Sequence, residues 1–230
     1  MKIAVIPARG GSKRIPRKNI KDFCGKPMIA WSIEAAKNCG LFDHVFVSTD
    51  DAEIAEISKS YGASVPFIRP QELSDDFTST GEVVDHAYRW CENNIGGIEY
   101  VCCIYATAPF IRSTDVKDCY LQLIDSGADI AFTATTFPFP IQRAIKLNTS
   151  HRVEMFQPEH LMTRSQDLEP AYHDAGQIYW SSDAAVKSGK KAFSTDATVL
   201  ILPRYRVQDI DTPEDWDQAE YLFKTINSTK

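Results

Sequence analysis

The chain has 230 residues, 43% hydrophobic and 24% charged, with a formal net charge of −6, enough apolar material for one full core over residues 1–230 and too acidic for a nucleic-acid-binding surface. The apolar run after Met1 covers only Ile3 to Ile6, short of the roughly 7–15 residues of a signal-peptide core, and nothing approaches the roughly 18 apolar residues of a membrane span. The six cysteines (Cys24, Cys39, Cys91, Cys102, Cys103, Cys119) form no CxxC pair, so reduced thiols in a cytoplasmic protein are expected, without membrane contact.

In chain order, a first strand from Ile3 to Ile6 runs straight into PARGGSKRIPRKN, Pro7 to Asn19. From Arg9 to Lys26, seven of the 25 basic residues (Arg9, Lys13, Arg14, Arg17, Lys18, Lys21, Lys26) fall within 18 positions; an even spread would place about two there. A helix follows from Pro27, with Gly40 past its end, then a strand from Val45 to Ser48. Asp50 with Glu53 is expected to cap the next helix, which ends near Gly62, and Val65 to Ile68 is expected as a strand. A helix from Thr80 to about Asn93, a strand from Tyr100 to Tyr105, a helix from about Thr114 to Ser126 and a strand from Ile130 to Thr135 come next. Residues 138–175 break this rhythm with FPFPIQRA, MFQPEH and TRSQDLEPAYHDA, rich in proline, aromatics and polar groups; they are expected as an insertion making a substrate or subunit contact. Strands at Gln177 to Trp180 and Val199 to Leu202, and a helix capped at Thr212 and Pro213, complete the order. The alternation predicts an α/β fold, three-layer α/β/α with a mostly parallel, twisted, Rossmann-like sheet.

Ligands of such sheets bind beyond the carboxyl ends of the strands. The loop from Arg9 to Lys26 is predicted there, and it is far longer than the 2–6 residues of an ordinary βα connection. Gly10 and Gly11 let the backbone approach an anion, and Arg9, Lys13 and Lys18 can neutralise a triphosphate; neither GxxxxGK[ST] nor GxGxxG is present. Asp209 and Asp211 flank Ile210, and on an extended segment residues two apart point to the same side. That is a hard-oxygen site suited to Mg2+; the competing reading is that Asp211 only helps to cap the last helix. Arg69 follows a strand and precedes Pro70, so its guanidinium could reach a base carbonyl or a phosphate, or form a surface ion pair. Cys102 and Cys103 sit in an apolar run with no histidine close in sequence, and no GxSxG elbow is present, which disfavours nucleophilic hydrolases.

PARGGSKRIPRKN, VSTDD, RPQELSDD, YATAP and DIDTPED occur in the order and spacing of the sialic acid (CMP-N-acylneuraminate) cytidylyltransferases, and the chain resembles that family over nearly its whole length. FPFPIQRA, MFQPEH, TRSQDLE and HDAGQIYW resemble its pseudaminic acid branch. Tyr105 stands where a glutamine is usual and Ala175 where an asparagine is, and both departures favour a differently decorated sugar. The resemblance implies a nucleotidyltransferase fold and transfer of CMP from CTP to the anomeric 2-hydroxyl of a nine-carbon keto sugar acid. It makes Arg9, Lys18 and Asp211 catalytic and puts Ala8, Arg9, Gly10, Gly11, Ser12, Lys18, Asn19, Arg69 and Thr80 around the nucleotide. Asp209 and Asp211 would hold Mg2+. Tyr105, Arg143, Arg164, His173, Asp174 and Gln177 would meet the sugar, with part of segment 138–175 crossing to the partner of a homodimer. Synthesis of CMP-N-acetylneuraminate or CMP-legionaminate, and a non-catalytic nucleotide-sugar binding protein, stand as alternatives.

Overall fold

A computed structural model describes residues 1–228. Its elements are β1 (Lys2–Pro7), β2 (Asp22–Phe23), β3 (Lys26–Pro27), α1 (Met28–Asn38), β4 (His44–Ser48), α2 (Ala52–Ser60), α3 (Thr80–Asn94), β5 (Tyr100–Ile104), α4 (Ser113–Ser126), β6 (Ile130–Thr136), β7 (Ile145–Leu147), β8 (Val153–Met155), β9 (Tyr172–Ser182), α5 (Asp183–Ser188), β10 (Ala197–Ile201) and α6 (Pro213–Ser228). Six strands make the central sheet in the order β10-β6-β9-β5-β1-β4. β1 pairs in parallel with β4 and β5, and β6 with β10.

The continuous apolar run of β1 exists because both of its faces are covered. Ala4 and Ile6 pack with Ile29, Ile33 and Val116 on one side, while Ile3 and Val5 pack with Ala87, Tyr88 and Cys91 of α3 on the other. All four strand residues are fully buried, each large one contributing about 1.5–3 kcal/mol. A third cluster (Ile15, Phe23, Met28, Phe110, Ile210, Trp216) lies beneath the long basic loop. There Phe23 meets Trp216 and Phe223 edge-on at 5.3 and 5.4 Å, fastening α6 to the loop.

Three local expectations are corrected. Val65 to Ile68 is not a strand: pairing stops at a single bridge between Ser64 and Phe46, because Pro66 has no N–H to give to a ladder. The α2 cap is Asp51, whose Oδ1 accepts from Ile54 N at 3.0 Å, and not Asp50. β9 starts at Tyr172, inside the segment expected to be irregular, and runs antiparallel to both β5 and β6. Its first residues therefore stand at the carboxyl ends of its neighbours. Among the described residues no helix is long and apolar enough to cross a membrane.

Candidate active site

Strand order reverses at β1, which has β4 on one side and β5 on the other; a crevice is expected beyond the carboxyl ends there. A cavity of about 540 Å³ lies at that point, lined by Arg9, Ser12, Lys13, Arg14, Lys18 and Asn19 of the basic loop, by Arg69, Asp75, Asp76 and Thr78, and by Thr80 and Thr107.

The loop is fixed from below by apolar packing and from the sides by carboxylates. Ala8 N continues the β1–β4 ladder to Ser48 O at 2.9 Å. Asn19, 8% exposed, turns inward: its Nδ2 donates to Arg9 O at 2.9 Å and its carbonyl accepts from Ile29 N at 2.8 Å, joining the loop to the start of α1. Gly10 N donates to Asp50 Oδ1 at 2.9 Å, and an added Cβ at Gly10 would meet Asp51, whereas one at Gly11 would meet nothing within 4 Å. Ser12 N donates to Gly10 O at 3.1 Å. Arg17, in a left-handed backbone conformation (φ 57°), forks onto the Asp51 carboxylate at 2.5 and 3.0 Å and also pairs with Glu53. The guanidinium holds Asp51 down to about 2, and the cap bond from Ile54 adds to this.

Each cation facing the cavity has an acidic partner. Arg9 Nη1 donates to Asp76 Oδ1 and to Asp75 O, both at 2.8 Å, and Lys13 Nζ to Asp76 Oδ2 at 2.5 Å; Lys13 and then Arg9 hold the Asp76 carboxyl below its ordinary value. Lys18 Nζ donates to Ile210 O at 2.7 Å and to Asp211 Oδ1 at 3.2 Å, while Arg14 reaches Asp211 Oδ2 at 2.8 Å. Asp211 does not cap α6: Thr212 and Asp215 exchange those bonds, Thr212 N to Asp215 Oδ2 at 2.7 Å and Asp215 N to Thr212 Oγ1 at 3.2 Å. Asp209 has exposed surface, yet its carboxyl is pushed up, first by desolvation among the atoms around it and then by the charge of Asp211. Arg69 is 4% exposed, with Nε donating to Ser74 Oγ at 3.2 Å, an Asp50 oxygen 3.6 Å from Nη2, and no hydrogen bond from Nη2; its burial lowers its pKa. A buried guanidinium with an unused N–H at a cavity wall is a ready donor to a ligand.

The residues expected for the second substrate are dispersed. Tyr105 lines a neighbouring cavity of about 620 Å³ together with Tyr179 and with Thr80, which lines both cavities. The two tyrosine rings are 5.3 Å apart, and Tyr179 OH donates to Asp174 Oδ2 at 2.5 Å; burial and that carboxylate raise Tyr179 well above an ordinary phenol. Asp174 Oδ1 accepts from Gly176 N at 2.9 Å, and the His173 ring packs on Phe137 at 4.9 Å. Gln177 is buried and gives its Nε2 to Arg206 O at 2.7 Å. Arg143 is exposed in a 3-10 turn, and Arg164 forks onto Asp167 at 2.6 and 3.1 Å; neither lines the two cavities. Sequence reasoning passed over Asp50, Asp51, Asp76 and Arg17 as parts of the site. The available signals were the place of Arg17 in the basic cluster and of the three acids in VSTDD and RPQELSDD, in the loops Thr49 to Asp51 and Arg69 to Ser79 expected beyond the strand ends.

A cytidylyltransferase family model matches residues 3–213. Pseudaminic acid cytidylyltransferase of Campylobacter jejuni is 46% identical over 222 residues, covering 96% of each chain. CMP-N,N'-diacetyllegionaminic acid synthase of Legionella pneumophila is 30% identical over 230 residues, again 96% of each. Among solved structures, a CMP:2-keto-3-deoxy-manno-octonic acid synthetase complexed with CTP superposes with a TM-score of 0.68 at 18% identity, over 98% of this chain and 99% of that one. The 4-diphosphocytidyl-2C-methyl-D-erythritol synthase of Anaerococcus prevotii does so with 0.60 at 14%, over 97% and 98%. These two likenesses are of fold.

Proposed function

The chain belongs to the cytidylyltransferase family, and on that premise we propose that it transfers CMP from CTP to the anomeric 2-hydroxyl of pseudaminic acid, a nine-carbon keto sugar acid. The observation that carries the reading is the Lys18–Asp211 contact: it sets the basic, glycine-bearing loop, at a lysine that lines the cavity, against the segment that carries Asp209 and Asp211. The choice of sugar rests on the 46% identical relative.

In this reaction the sugar oxygen forms a bond to the α-phosphorus while the bond to the β-phosphate oxygen breaks and pyrophosphate leaves. Such transfer depends on positioning and charge neutralisation more than on covalent chemistry. Arg9, Lys13 and Lys18 take the phosphates; in doing so Arg9 and Lys13 exchange Asp76 for the triphosphate. The peptide at Gly10–Ser12 approaches the phosphates closely, Ala8 and Asn19 hold that peptide in place, and Arg69 and Thr80 wall the nucleoside. Asp209 and Asp211 suit a divalent cation: both are hard oxygen donors, and a cation would offset the desolvation and, after it, the charge of Asp211 that raise Asp209. Among the described residues no group of three His, Cys, Asp or Glu could hold a metal alone, so phosphate oxygens and water would complete the shell. Bound there, Mg2+ would supply positive charge opposite the basic loop.

Tyr105, Asp174 and the cavity beside Thr80 receive the sugar. Arg143, Arg164 and His173 act from segment 138–175, which extends to the partner of a homodimer; the exposure of Phe139, Ile145, Leu147, Val153, Phe156 and Met162 along it supports that. Six free cysteines accord with a cytoplasmic enzyme. The test is pyrophosphate release from CTP and Mg2+ with pseudaminic, legionaminic and N-acetylneuraminic acid in parallel. Turnover with pseudaminate at a kcat/KM at least tenfold above the others is expected; release with N-acetylneuraminate alone would overturn the assignment of the sugar.

A further inference from the structure

The connection from β10 to α6 carries both Asp209 and Asp211, and apart from one 3-10 turn (Arg204–Arg206) it has no regular structure to fix them. Three tethers hold it. At its start Leu202 N donates to Ala134 O and Leu202 O accepts from Thr135 Oγ1, both at 2.7 Å. At its end Ile210 is 2% exposed in the third core cluster, with its carbonyl on Lys18. Between them Arg206, 6% exposed, forks onto Asp115 of α4, itself 5% exposed, with Nη1–Oδ2 at 2.7 Å and Nη2–Oδ1 at 2.9 Å. Asp115 is held in turn, because Oδ2 accepts from Arg112 N at 2.9 Å, and Gln177 fixes the Arg206 backbone from β9.

A buried ion pair is a weak source of stability: desolvation takes back most of the Coulomb gain, and apolar replacements are often neutral or better. What a bidentate fork provides is a single geometry. The fork sits three residues before Asp209 and five before Asp211. We propose that Arg206, oriented by Asp115 and Gln177, is a positioning residue that sets where the Asp209 and Asp211 carboxylates stand opposite Lys18. The proposal rests on the reading of those carboxylates as metal- and phosphate-facing, and it gives Gln177 a part in positioning in place of contact with the sugar.

The test replaces the ion pair and keeps the α4 cap: Arg206→Met with Asp115→Asn, since asparagine can still accept from Arg112 N. Thermal melting, calorimetric CTP binding with and without Mg2+, and steady-state kinetics are compared with Arg206→Lys and Asp211→Asn. The double variant should melt within a few degrees of wild type and bind CTP without Mg2+ within twofold. It should lose about tenfold of the tightening that Mg2+ gives, and about tenfold or more in kcat, as sub-ångström displacement of a catalytic group does; sugar KM should stay within threefold, and Arg206→Lys should fall between. Unchanged Mg2+ tightening and unchanged kcat per folded site would overturn the proposal and leave Arg206 as a structural residue. Asp211→Asn must itself abolish the tightening; if it does not, the carboxylate reading has failed and the proposal falls with it. Should the double variant not fold, Arg206→Lys decides by the same two readouts.

Discussion

Replacing Gly10 by alanine should destabilise the protein while the same change at Gly11 should not, although the two glycines are adjacent in a flexible-looking run. Neither has a positive φ, so backbone strain does not separate them. Contact does: a Cβ on Gly10 would stand 2.7 Å from Asp51 Oδ2 and 3.0 Å from Asp51 Cβ, and one on Gly11 has nothing within 4 Å. Asp51 cannot swing aside freely, because it caps α2 through Ile54 N and is clamped by Arg17. Moving it gives up a helix cap, about 1 kcal/mol, and part of a half-exposed Arg–Asp fork, up to about 1 kcal/mol. The loss is then about 1–2 kcal/mol, or about 2–8 °C in melting temperature at roughly 2–4 °C per kcal/mol for a chain of this size. Calorimetry of the ligand-free protein measures it, and Gly11→Ala should melt within about 1–2 °C of wild type. In an Asp51→Ser background, which removes the 2.7 Å contact with Oδ2 while a hydroxyl still caps α2, the Gly10→Ala penalty should fall to about half or less. Equal melting of the two glycine variants, or a Gly10 penalty that persists undiminished in the serine background, would refute the reasoning.

The acid limb of stability should change with Asp51→Asn. The Asp51 carboxyl lies at about 2, below its ordinary 3.8; a depressed folded value adds stability that is present above about pH 4 and lost as the pH falls toward 2. Allowing for solvent screening, about 1 kcal/mol should separate wild type from variant at pH 7 and vanish near pH 2 in urea titrations; a constant gap across that range would count against it. Asp76→Asn should lower the CTP KM about two- to fivefold, because Arg9 and Lys13 no longer have to give up a carboxylate before meeting phosphate. Initial-rate kinetics at low ionic strength decide, and an unchanged or raised KM would show that Asp76 does not compete with the nucleotide.

Much of this protein could be read without coordinates, and the reasons are local. Ile3 to Ile6 is apolar at every position, which only a strand buried on both faces tolerates, and the density of Arg and Lys after it marked the loop that forms the cavity wall. The DID spacing put Asp209 and Asp211 together, and Lys18 does meet Asp211 across 193 residues. Errors arose where a local rule met a non-local one. Val65 to Ile68 has β-forming residues, but Pro66 ends the pairing after Ser64. Asp50 and Asp51 are equivalent as caps on paper; the chain takes Asp51 for the helix and leaves Asp50 to Gly10 N and Arg69.

By itself the sequence determined the alternation of strands and helices, the long basic loop after the first strand and the family, because hydrophobic period, turn chemistry and motif are properties of neighbouring residues. Tertiary structure alone decided which acid faces which base and which way β9 runs. Asp51, Asp76, Asp115 and Asp211 come from four separated stretches, and an ion pair depends on where each connection sets its residue down. No spacing along the chain encodes that distance, which is why the tether at Arg206 became visible only when α4, β9 and the connection to α6 were seen side by side.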